Sequence, residues 1–193
     1  MADDISDRIK LHDTKLLSDN HYVLTRADFA FRRRDGAWQE QRHESYDLGD
    51  AVAVLPYDRA TGQVILIKQF RWPVFEWGVK ELLIEVIAGK LDGDDPPTCA
   101  RREAMEEAGV TLGTLHTVTW CFPSPGAVKE RMTAYLADYD SRAGRAQGGG
   151  VQGEGEDIEV LQLPLDDAMA MIANGEIIDM KTILLLQAAK LET

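Results

Sequence analysis

The stretch Asp95-Pro-Pro-Thr-Cys-Ala-Arg-Arg-Glu-Ala-Met-Glu-Glu-Ala-Gly109 constrains this chain more than any other. A capping carboxylate followed by prolines at the first helical positions starts a helix, and Gly109 supplies the residue type that ends one. The spacing predicts a helix over 97–108, about three turns long. On it Glu103, Glu106 and Glu107 fall at i, i+3 and i+4 and share one face. Like charges at that spacing repel by roughly 0.2–0.5 kcal/mol per pair. A hard cation would turn the repulsion into coordination, because Mg²⁺ takes oxygen ligands and keeps positions for water and phosphate oxygens. A bare E-x-x-E-E also fits a solvated acidic face, so the surrounding residues must decide.

Strand patterns rich in Val, Ile, Leu and aromatics run over Tyr22–Phe31, Ala51–Leu55, Val64–Phe70 and Leu82–Ile87, with turn formers such as Asp35-Gly36 and Thr61-Gly62 between them. Further strands are expected at Leu115–Cys121, Arg131–Leu136 and Ile158–Leu163, and further helices at Leu165–Asn174 and Lys181–Lys190. Strands and helices that do not strictly alternate point to an α+β fold or an α/β sandwich rather than a doubly wound sheet. Residues 1–48, a polar leader and a hairpin-like strand pair, read as a small N-terminal β subdomain before a main domain over 49–193. Residues 140–157 contain six glycines and end in acids, which describes a mobile loop. Trp38, Trp72, Trp77 and Trp120 read as packing residues of the core or an interface, and Pro73–Lys80 as a segment lining a pocket or a dimer contact.

Charge restricts the partners. With 21 Lys and Arg against 33 Asp and Glu, a formal charge of −12, the chain has no general surface for nucleic acid or anionic membrane. A phosphate ligand must be met locally, by a few arginines, backbone amides or carboxylate-held cations. Cys99 and Cys121 form no close pair, the N-terminus is acidic, and no apolar run could span a bilayer. A cytoplasmic protein is expected.

Arg102-Glu-Ala-Met-Glu-Glu-Ala-Gly-Val110 resembles the second half of the Nudix box, G-x5-E-x7-R-E-U-x-E-E-x-G-U, at all nine positions. The first half departs: Gly89 lies 13 positions before Arg102 where the pattern needs 14, and Asp94 or Asp95 stands for the leading Glu. This reads as a one-residue deletion in the loop before the helix. Leu17-Ser-Asp-Asn20, Ile67-Lys-Gln-Phe-Arg71, Ser124-Pro-Gly126, Gly148-Gly-Gly-Val151, Glu156-Asp-Ile-Glu-Val160, Gly175-Glu-Ile177 and Lys181-Thr-Ile-Leu-Leu-Leu186 extend the likeness over nearly the whole chain. Together they resemble the nucleoside-diphosphate-sugar Nudix hydrolases, in the GDP-mannose pyrophosphatase branch, with ADP-ribose pyrophosphatases sharing many of the segments.

The resemblance implies a Nudix-fold α/β/α sandwich and Mg²⁺- or Mn²⁺-dependent hydrolysis of a pyrophosphate bond, GDP-mannose giving GMP and mannose 1-phosphate. It implies Glu103, Glu107 and the Ala88 carbonyl as metal ligands, with Glu106 as a third box carboxylate and Arg102 pairing with the box acids. Glu107 and a loop acid are the catalytic candidates, the loop acid being Glu154 or Glu156. Glu156 is preferred for its spacing to the next strand, and is a candidate ligand too. Arg71, Glu130 and Lys181 match substrate contacts. The branch exchanges its N-terminal subdomain in a homodimer, which makes His21, Arg42, His43 and Glu44 substrate candidates. Two other readings stand beside this one: an ADP-ribose or broad nucleotide-sugar pyrophosphatase, and a non-catalytic Nudix-fold ligand sensor, against which the three intact glutamates argue.

Overall fold

Residues 4–151, 153 and 155–192 are described by the computed structural model, and they build two separate sheets in two units. The first unit runs to Gly49 and takes in Ser124–Glu130. In it β1 (Ile9–Asp19), β2 (Val23–Arg32) and β3 (Trp38–Asp47) form an antiparallel meander, and β9 (Val128–Lys129) pairs in parallel with β3. The Asp35-Gly36 turn reverses β2 into β3. Gly36 takes φ 86°, and Arg33 N–H donates to Ala37 O at 2.8 Å. The polar leader proves to be a strand, because backbone pairing with β2 holds β1 while its side chains stay almost wholly exposed. Among the described residues of this unit Ala30 alone is buried, and Leu11, Leu16 and Trp38 are exposed. A single layer of this kind has no interior of its own.

The second unit is the sandwich. Its strands are β4 (Ala51–Asp58), β5 (Gln63–Gln69), β6 (Leu83–Glu85), β7 (Ile87–Lys90), β8 (Leu115–Cys121), β10 (Met132–Asp138) and β11 (Glu159–Pro164). The sheet order is β11-β5-β4-β10-β8, with β6 on β5, β7 on β4, and β10 parallel to β4. Helices α1 (Trp72–Trp77), α2 (Pro96–Ala108), α3 (Leu165–Ala173) and α4 (Met180–Leu191) complete it. Along β4, Val52 and Val54 join one core cluster with Ala100, Ala104 and Ala108 of α2. Ala53 and Leu55 join the other, with Leu185 and Leu186 of α4. Both faces of β4 are therefore covered, as a strand with a parallel neighbour requires. The i, i+4, i+8 alanines let α2 sit close on its face of the sheet.

Two expectations needed correction, the unbroken strand over Leu82–Ile87 and the tryptophans as core residues. The strand expected over Leu82–Ile87 breaks at Val86 into β6 and β7, which pair with different neighbours, while Val86 N–H donates to Thr182 Oγ1 at 2.7 Å. Pro73–Lys80 contains the short helix α1, whose start at Trp72-Pro73 uses proline in the first turn. Trp38, Trp72, Trp77 and Trp120 are not core residues: they are all exposed, Trp77 at 85%. Among the described residues no helix is long and apolar enough to cross a membrane.

Candidate active site

Helix α2 starts and stops as its sequence dictates. Asp95 Oδ1 accepts from Thr98 N–H at 3.2 Å and Oδ2 from Thr98 Oγ1 at 2.7 Å; Gly109 closes the helix at φ 66°, with Val110 N–H donating to Ala104 O. Asp95 is thus the cap, while Asp94 Oδ2 accepts from Arg102 Nε at 3.3 Å. Between these ends the helix brings Glu103 and Glu107 against β7. Glu107 is buried and accepts from Ala88 N–H at 3.2 Å. A Cβ on Gly89 would lie 2.0 Å from Glu103 Oε1, so only glycine lets that carboxylate lie against the strand.

The carboxylates raise one another. Burial pushes Glu107 up to about 9; the Ala88 N–H opposes this, Glu103 and Glu156 add to it, and Arg71 opposes it. Burial pushes Glu103 up to about 7, with Arg102 opposing and Glu106 and Glu156 adding. Arg102 Nη1 lies 2.9 Å from both Glu103 Oε1 and Glu106 Oε2. Among the described residues no three acidic, histidine or cysteine side chains are gathered round a single metal-sized point, and Arg102 holds two of the box acids instead. The donor chemistry still fits a hard cation: buried oxygen ligands whose charges oppose one another and leave a divalent ion as the natural counter-charge.

The glycine-rich loop, which carries Glu156, docks on the end of α2. Ala146, Gly149 and Gly150 N–H groups donate to Gly109 O at 2.8 Å, Glu107 O at 2.9 Å and Glu106 O at 3.0 Å, which satisfies carbonyls the helix leaves open. A Cβ on Gly148 would stand 2.6 Å from Ala108 C, and one on Gly150 2.6 Å from Glu156 Cβ. Glu156 Oε2 accepts from Val151 N–H at 3.0 Å, and its charge reaches both Glu103 and Glu107. Glu154, the other loop candidate, lies outside the described residues.

Arg71 and Lys181 converge on a residue that the sequence reading missed. Glu85 is buried at the end of β6; its Oε2 accepts from Arg71 Nε at 2.8 Å, and its Oε1 accepts from Lys181 Nζ. A lone acid inside Leu82-Leu-Ile-Glu-Val-Ile87 was the available signal. Burial would lower the pKa of the Lys181 ammonium, but Glu85 and Asp179 outweigh it and hold the group above its usual range. Nearby, Trp77, Val79, Leu83 and Ile178 line a cavity of about 980 Å³, with Lys68 and Glu176 on its wall.

The remaining candidates lie in the first unit. His21 meets the Tyr22 ring edge-on at 4.3 Å, and Tyr22 meets Tyr46 at 5.4 Å. Arg42, His43 and Glu44 follow one another on β3 opposite Asp28, Ala27 and Arg26; Arg42 Nε donates to Asp28 Oδ1 at 2.5 Å, and His43 lies 5.4 Å from the Phe29 ring. Glu130 closes the Ser124–Glu130 segment of the same unit.

Two family models match successive parts of the chain. Residues 8–46 match the GDP-mannose pyrophosphatase NudK N-terminal domain, and residues 47–185 match the NUDIX domain. A GDP-mannose pyrophosphatase of Pectobacterium atrosepticum is 43% identical over 186 residues, covering 96% of this chain and 95% of the relative. One from Citrobacter koseri is 42% identical over 183 residues, covering 94% and 95%. Among solved structures, an ADP compounds hydrolase shares the fold with a TM-score of 0.72 at 16% identity, over 98% of this chain and 95% of the other.

Proposed function

The chain belongs to the Nudix hydrolase family, and from that premise we propose that it hydrolyses the pyrophosphate bond of a nucleoside diphosphate sugar, GDP-mannose giving GMP and mannose 1-phosphate. The observation that carries this reading is the full-length likeness to GDP-mannose pyrophosphatases combined with an intact, mutually repelling carboxylate set on α2.

In this reading Glu103, Glu107 and the Ala88 carbonyl hold a divalent cation, Mg²⁺ or Mn²⁺, with Glu106 and Glu156 as further oxygen donors. When bound there, such an ion offsets phosphate charge and lowers the pKa of a coordinated water. Arg71 and Lys181 set positive charge against the diphosphate oxygens. Glu156, with one oxygen held by Val151 N–H, takes the proton of the attacking water as the anhydride P–O bond breaks and the sugar phosphate leaves. Glu154 is the alternative for that loop role. We propose His21, Arg42, His43, Glu44 and Glu130 as further substrate contacts, and a second copy of the chain in a homodimer as the cover of the first unit, among whose described residues Ala30 alone is buried. Free thiols at Cys99 and Cys121 suit a reducing compartment, so we infer a cytoplasmic enzyme.

A substrate panel with Mg²⁺ and product analysis tests the assignment. GMP release from GDP-mannose should exceed AMP release from ADP-ribose. The reverse order overturns the sugar-nucleotide assignment, and no turnover of either overturns the hydrolase reading in favour of a ligand sensor.

A further inference from the structure

Glu85 is buried in an apolar strand run, yet its carboxyl meets two cationic partners. A buried ion pair is poor evidence for stabilisation, because desolvating the charges offsets much of their attraction and apolar side chains could fill the same space. The geometry suggests another use. Each oxygen of one carboxylate takes a different cation from a different element: Arg71 from the turn into α1, Lys181 from the first turn of α4. Lys181 Nζ is held again by Asp179 Oδ1 at 2.9 Å; Asp179 Oδ2 accepts from Thr182 N–H at 2.9 Å, and Thr182 Oγ1 accepts from Val86 N–H beside Glu85. That loop of bonds closes on itself through Lys181, and Arg71 joins it at the other oxygen of the same Glu85 carboxylate.

What is left unused matters as much. Glu85 engages Arg71 through Nε, and among the described residues Nη1 and Nη2 have no protein acceptor. That edge presents the paired N–H geometry that matches two phosphate oxygens. The Arg71 charge acts on the Glu107 carboxyl, where it opposes the rise caused by burial.

Resting on the function proposed above, we infer that Glu85 is a positioning residue, a single buried carboxylate that locks Arg71 and Lys181 together so that both cations meet the substrate diphosphate next to Glu103 and Glu107. Glutamate is needed for two acceptors at once. Glutamine keeps one acceptor and turns an NH₂ donor towards a cation, and aspartate keeps both acceptors on a shorter arm.

The test is steady-state kinetics with GDP-mannose and Mg²⁺ on wild type, Glu85→Gln, Glu85→Asp, Arg71→Ala and the Glu85→Gln/Arg71→Ala pair, each first checked for folding by circular dichroism and melting. Glu85→Gln should raise KM about tenfold with a smaller change in kcat, and Glu85→Asp should recover part of the loss. Because Glu85 acts through Arg71 and Lys181 together, the double variant should lose clearly less than the product of the two single losses, the remainder being the Lys181 share. A folded Glu85→Gln protein with KM near wild type, or effects that multiply in the double variant, overturns the inference. If Glu85→Gln does not fold, the same cycle with Glu85→Asp decides by the same criteria. Wild type that hydrolyses no nucleoside diphosphate sugar removes the hydrolase reading itself, and this inference with it.

Discussion

At the scale of single residues, burial pushes the Glu103 and Glu107 carboxyls up to about 7 and about 9 from 4.5, so the folded chain binds protons near neutral pH that the unfolded chain has released, Glu107 more fully than Glu103. A raised carboxyl pKa stabilises the fold fully below its unfolded value, and that contribution is lost as pH climbs through the folded value. Metal-free protein should therefore melt at progressively lower temperature between pH 5 and pH 9, and calorimetry in chelator checks it. Added Mg²⁺ should raise the melting temperature more at pH 8 than at pH 5. Glu107→Gln should flatten the pH dependence and stabilise the metal-free protein at pH 8 by on the order of 2–3 kcal/mol. The same variant should lower kcat about 10²–10³-fold. Metal-free wild type that gains stability up to pH 9 would contradict the burial argument.

At the scale of elements, loop 146–150 and the end of α2 act as one device. The clash at Gly148 is with helix backbone, which cannot yield as a side-chain tip can. Gly148→Ala should lift the loop, displace Glu156 and cost about tenfold or more in kcat. Gly144→Ala, in open space, should leave kcat unchanged. Equal effects from the two substitutions would uncouple loop docking from activity. Helix α2 was legible in the sequence because its cap, prolines and terminal glycine are local signals, and the acidic face followed from its period. Strand β1 was not, because an exposed edge strand buries almost nothing and leaves no alternating pattern. The β6/β7 break at Val86 was hidden in a continuous apolar run, since a change of strand partner is a long-range property. Arg71 and Lys181 could be picked out by position, but Glu85 links residues 71 and 181 only through the fold.

At the scale of the whole molecule, the first unit exposes Leu11, Leu16 and Trp38, and among its described residues Ala30 alone is buried. Such a sheet is marginal in water unless another surface covers it. Sedimentation at micromolar concentration should give a species of twice 21.5 kDa. Leu11→Asp with Leu16→Asp should shift it towards monomer. A wild-type monomer would remove the dimer and the substrate contacts assigned to His21, Arg42, His43 and Glu44. The pairing of β9 with β3 bears on how such a chain can be recombined. Tyr46 and Asp47 are in register with Val128 and Lys129, and Lys129 Nζ lies 2.6 Å from Asp47 Oδ2. A chimaera joined at residue 49 would set a foreign N-terminal sheet against a return segment matched to a different one, so a workable crossover must carry 124–130 along with that sheet.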